Sequence, residues 1–257
     1  MLSQCSPTAK PRNERYLLER HTGGEVRKGE LRPGVMYSRV DLSHYHLYAA
    51  FFFALHAERL EDKASPMASS DTLYRYRSFV MGAILSAVAS LEARLAELQT
   101  DAEIGPPLFS VTGLTKAQCT ALVTALAGRG AMLDRYQEAL RAIGKIPFKA
   151  DTQPFRAVSL LVKLRNYLVH FPADWLAISD EESGPLPQTE LPLIERQLKR
   201  QFPSTKFAEA SKPFFPDHCL SAGCAQWAAD SSLAFAQQFS TRAGVVMMHL
   251  RPVIRGN

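Results

Sequence analysis

An all-α fold is predicted, and three observations predict it. Apolar residues recur at three- and four-residue steps over long stretches, proline and glycine punctuate those stretches at intervals that suit helical hairpins, and there is little convincing strand pattern. The chain has 257 residues, of which 46% are hydrophobic, so it can bury a sizeable core and is not a disordered chain.

The elements follow in order. Residues 1–40 carry Pro11, Gly23, Gly24, Pro33 and Gly34 among charges and read as a loop-rich N-terminal arm. A first helix starts at Asp41 or Ser43, both good N-caps, and runs to about Asp62, with Ser65-Pro66 beyond its end. The longest helix spans about Asp71 to Thr100, with Phe79, Ala83, Ala87, Leu91, Leu95 and Leu98 along one stripe, and Gly105-Pro106-Pro107 stops it. A hairpin follows, with one helix over Thr115–Leu126 and another carrying Met132, Leu133, Tyr136, Leu140 and Ile143. A helix from Gln153 or Pro154 then carries Phe155, Val158, Leu161, Val162 and Leu168 toward Pro172, which should end it because the residue before a proline is pushed out of the α region. Residues 183–217 hold Pro185, Pro187, Pro192, Pro203, Pro213 and Pro216 and read as a proline-rich insertion with one short helix around Leu193 to Phe202. The last helix, about His218 to Arg242, sets Leu220, Cys224, Trp227, Phe235 and Phe239 on one stripe as core, and Gly244 stops it. The domain plan is thus an arm over 1–40 and one helical domain over 41–257.

Composition narrows the function classes. The net charge of +5 leans toward an anionic partner without a long basic run to insist on it. Cys5, Cys119, Cys219 and Cys224 form no C-x-x-C or Cys/His set spaced for zinc, so reduced thiols and no metal are expected. His44 and His46 lack a third spaced ligand and read as surface residues. The stretch Met1 to Arg15 has no apolar segment of a secretory signal, and the apolar runs Leu47–Leu55 and Ser78–Leu91 fall short of the roughly 20 residues that span a bilayer. A cytoplasmic protein with no membrane partner and no cofactor is the expectation.

The segment that carries chemistry is Leu164-Arg165-Asn166-Tyr167-Leu168-Val169-His170-Phe171-Pro172. Arginine followed by histidine after four to six residues is a loose pattern, and Arg15 with His21, Arg39 with His44 or His46, and Arg242 with His249 also satisfy it. Only Arg165 and His170 lie wholly within a strongly apolar helix, with Asn directly after the Arg. At about 100° per residue Asn166 and His170 share a face, while Arg165 lies about 140° from His170 and must reach around for the three polar groups to converge. Histidine exchanges protons near neutrality, and the arginine fork matches phosphate oxygens.

This segment resembles the Arg-x(4–6)-His signature of the HEPN superfamily, whose common form has a polar residue after the Arg. The long upstream helix, with Ser90-Leu91-Glu92-Ala93 and Glu97-Leu98, is similar to the one that packs beside the signature in those proteins. The resemblance covers about residues 70–242. Glu92, set in an apolar helix, reads as half exposed or paired with a base such as Arg165; the resemblance itself implies a HEPN-like helical bundle, with Arg165 and His170 catalytic and Asn166 supporting. It further implies metal-independent cleavage of RNA at a site shared by a homodimer, in a toxin or anti-phage setting where an antitoxin or another defence protein is a partner. Some members of the superfamily keep the fold without cleavage, so a non-catalytic module that binds RNA or a partner protein is the competing expectation.

Overall fold

The computed structural model describes residues 40–63, 69–106, 109–171, 193–209 and 212–246. Among these residues the regular elements are all helical: α1 (Leu42–Asp62), α2 (Ser70–Ile104), α3 (Lys116–Ala127), α4 (Met132–Ala142), α5 (Phe155–Val169), α6 (Leu193–Leu198) and α7 (Ala222–Ala243), with short turns at Phe109–Val111 and Phe214–His218. The all-α expectation is met. The expected arm over 1–40 lies outside the described residues, apart from Val40.

The bundle is organised by α2, which packs against α1, α3, α5 and α7. Its stripe explains why: Val80, Ala83, Ile84, Ala87, Val88, Leu91 and Leu95 are all fully enclosed. The N-terminal half of α2 shares a core with α1, the C-terminal half of α5, α6 and the start of α7, and its C-terminal half shares another with α3, α4 and the end of α7. Small residues form the seam with α7. Ala83 and Ala87 of α2 are enclosed together with Ala225, Ala228 and Ala229 of α7. The buried Ser90 and Ser232 hydroxyls bond each other at 2.9 Å, and Ser232 also donates to the Ala87 carbonyl at 2.8 Å, so no hydroxyl is buried without a partner there. By length and composition α2 is apolar enough to cross a membrane, yet half of its most apolar window is buried inside the bundle, as expected of a core helix.

Local signals set several boundaries as anticipated. Ser69 caps α2 by accepting from the Thr72 N–H, Thr115 and Gln118 form a reciprocal capping box on α3, and Gly244 ends α7 at φ 68° in the left-handed region. Other boundaries differ, for tertiary reasons. Asp41 occupies the N-cap of α1 but makes no side-chain cap, and Ser43, the second helical residue, is buried. The Glu97 carboxylate, reaching over from α2, accepts the Ser43 N–H at 2.8 Å and its hydroxyl at 2.6 Å, so a distant residue satisfies this helix start. The last helix begins at Ala222 rather than His218, because a kinked turn over Phe214–His218 precedes it and Ser221 provides the cap.

The described part of the proline-rich segment 183–217 carries the expected short helix and packs into the bundle: Leu198 is fully enclosed, and Phe214 and Phe215 lie in the core with it. Buried Glu61 of α1 accepts the backbone N–H of Lys206 at 2.6 Å, which ties the segment back to the bundle. Trp227, expected in the core, is only partly buried and stacks at a tilt on Phe202 of the same segment. Phe235 and Phe239 are fully buried against Tyr136, as expected.

Candidate active site

The C-terminal half of α5 is pulled three ways by its neighbours. Leu161 and Leu164 point into the core and are fully enclosed. Tyr167 turns the same way: its ring meets Phe215 at 4.7 Å and Phe171 at 5.3 Å, and its hydroxyl donates to the Glu195 carboxylate of α6 at 3.2 Å. Arg165 points sideways to α2 and forms an ion pair with Glu92, the arginine side chain being 25% and the glutamate 48% exposed. Asn166, Val169 and His170 face solvent. The helix closes there, since His170 is the C-cap (φ −111°, ψ 19°) and its N–H bonds the Asn166 carbonyl at 3.0 Å. His170 thus sits one residue past the expected last turn.

Of the three residues singled out, Asn166 and His170 are brought together on one exposed face, and Arg165 stands apart from them, engaged with Glu92. Among the described residues no side-chain hydrogen bond joins Asn166 to His170. Glu92 is half exposed and paired with Arg165, as its place in an apolar helix suggested. Among the described residues no group of three or more His, Cys, Asp and Glu is placed to hold a metal ion.

Comparison with known protein families, with characterised proteins and with solved structures finds no match. A pocket lies elsewhere, lined by Tyr76 and Arg77 of α2 with Thr205, Phe207, Lys212 and Asp217, and its arginine is paired with Asp217. An open helix end suits a polymer laid across the surface better than a small molecule, which needs a concave site.

Beneath the signature lies a titratable pair that sequence reasoning missed. Glu195 of α6 is buried, and burial raises its carboxyl above the ordinary range against the opposing Tyr167 hydrogen bond. Burial, then the Glu195 charge, pushes the Tyr167 hydroxyl up to about 12. A carboxyl whose folded pKa is raised keeps its proton longer in the folded state, so stability falls as pH rises from the ordinary carboxylate range through the folded value. Glu195→Gln should therefore raise Tm at pH 7 and flatten that fall, as thermal melts from pH 4 to 8 would read. A parallel fall in the variant would show that the carboxyl is not the cause.

Proposed function

We propose that this protein is a metal-independent endoribonuclease of the HEPN type, cleaving RNA through 2′-OH attack at a composite site in a homodimer, as a toxin or anti-phage effector. The observation that carries the reading is one helix end that offers Asn166 and His170 to solvent while Arg165, on the same turn, is held by Glu92 of the central helix. His170 exchanges the proton of the 2′-OH or the leaving 5′-oxygen, Arg165 neutralises charge building on the phosphate, and Asn166 hydrogen-bonds a phosphate oxygen. The nucleophile belongs to the substrate, so no metal is assigned a role. One helix end supplies one imidazole, and a second copy brings a second set within reach of the same phosphate. Val169, an exposed apolar side chain next to His170 on α5, gives that second copy an apolar contact to cover. A partner antitoxin or other defence protein fits the same setting.

The Arg165–Glu92 pair also favours a second reading, a non-catalytic helical module that binds RNA or a partner protein, since an arginine engaged by a carboxylate is less available to phosphate. Against it, a pair this exposed is held by little more than roughly 0–1 kcal/mol, so an RNA phosphate can compete for the guanidinium. Purified protein incubated with single-stranded RNA decides between them. The expected products carry 2′,3′-cyclic phosphate and 5′-hydroxyl ends, DNA resists for lack of the 2′-OH, and EDTA does not inhibit. Activity abolished by EDTA and restored by a divalent ion would remove the assignment.

A further inference from the structure

The signature helix has more to it than its last turn. From Phe155 to Val169 it contains no acidic residue, and Arg156, Lys163 and His170 recur at seven-residue steps, which places them on one side of the helix about 10 Å apart. All three are exposed, with Asn166 between the last two. The neighbouring α6, docked on α5 by the Tyr167–Glu195 hydrogen bond, exposes Arg196, with Lys199 and Arg200 in the turn that follows. The acid of α6, Glu195, is turned inward and buried, so it does not neutralise that surface. Among the described residues none of these cations has an acidic partner, whereas Arg75, Arg77, Arg141, Arg165 and Lys206 all do.

Leaving a cluster of like charges unpaired costs repulsion that a folded domain ordinarily relieves with interspersed acids. Among the described residues no ion pair gives that relief to Arg156, Lys163, Arg196, Lys199 or Arg200, while five other cations have it. We propose that the outer faces of α5 and α6 form the binding track for single-stranded RNA, with Lys163, Arg156 and Arg196 holding backbone phosphates on one side of the phosphate presented to His170. This rests on the ribonuclease reading for its ligand. The track is specific for the polyanionic backbone and indifferent to base identity, since it consists of cation–phosphate contacts alone.

The test uses the full chain carrying His170→Ala, so that RNA is bound and not cut, with a fluorescently labelled single-stranded RNA oligonucleotide followed by anisotropy across a salt series. Adding Lys163→Gln and Arg196→Gln should weaken binding about tenfold at ~0.1 M salt and lower the slope of log K against log salt by about 1.4, the contribution of two phosphate contacts to a single strand. Lys116→Gln, an exposed lysine on α3, should change neither. In chains that keep His170, the double substitution should raise KM and leave kcat nearly unchanged. An unaltered salt slope in the double variant, or an equal effect from Lys116→Gln, would overturn the track, as would absence of RNA binding by the parent at low salt. RNA that is bound with the expected slope and never cut upholds the track and sinks the nuclease reading.

Discussion

His170→Ala is expected to slow RNA cleavage by roughly 10²–10⁴-fold, the usual contribution of a positioned general acid or base, while leaving the thermal melt where it was. The second half follows from the geometry: the imidazole is exposed and makes no side-chain hydrogen bond among the described residues, so its removal empties no core and orphans no buried partner. Arg165→Lys should recover only part of the rate, because an ammonium keeps the charge and loses the two-pronged fit to phosphate. Asn166→Ala should cost less than the loss of His170. A mixture of His170→Ala and Arg165→Ala chains tests the shared site directly, since exchange between copies can assemble one intact set from two defective ones. Folded His170→Ala protein that cuts RNA at the parent rate would refute the assignment of the proton-transfer group.

The second large effect is on stability. Leu91 is fully enclosed in the middle of α2, and its carbonyl accepts the buried Tyr136 hydroxyl at 2.9 Å. Leu91→Asp places a carboxylate inside the core, removing packing and burying a charge, and should cost roughly 4–5 kcal/mol or more. For a chain of this length that lowers Tm by roughly 10–20 °C. Leu85→Asp, six residues earlier on the same helix but 39% exposed, should stay within roughly 0.5 kcal/mol in the isolated chain. Melting curves of the two variants side by side check the buried face of α2, and an unchanged melt for Leu91→Asp would show that face to be misassigned.

Much of the architecture was legible in residue order alone. Helix identity came through because the 3.6-residue apolar period, the caps at Thr115 and Gly244 and the proline and glycine stops all act within a few residues of one another. The candidate site was legible for the same reason: Arg165, Asn166 and His170 sit on one helix, where spacing fixes direction. Asn166 and His170 share an exposed face as the spacing requires. The ion pair between Arg165 and Glu92 was foreseeable only as an option.

What tertiary structure decided were the matters that depend on residues far apart in the chain. Glu97 closing the start of α1, Glu61 receiving the Lys206 N–H, and the proline-rich stretch delivering Leu198, Phe214 and Phe215 to the core all involve partners from elements far apart in the sequence. Local propensity carries no information about such partners, because each contact depends on how two helices pack rather than on either one. The same holds for the basic track. The seven-residue recurrence of Arg156, Lys163 and His170 was present in the sequence, but only the docking of α6 through Tyr167 and Glu195 brings the helix that carries Arg196 against α5 and turns Glu195 inward, which is a property of packing and not of order along the chain.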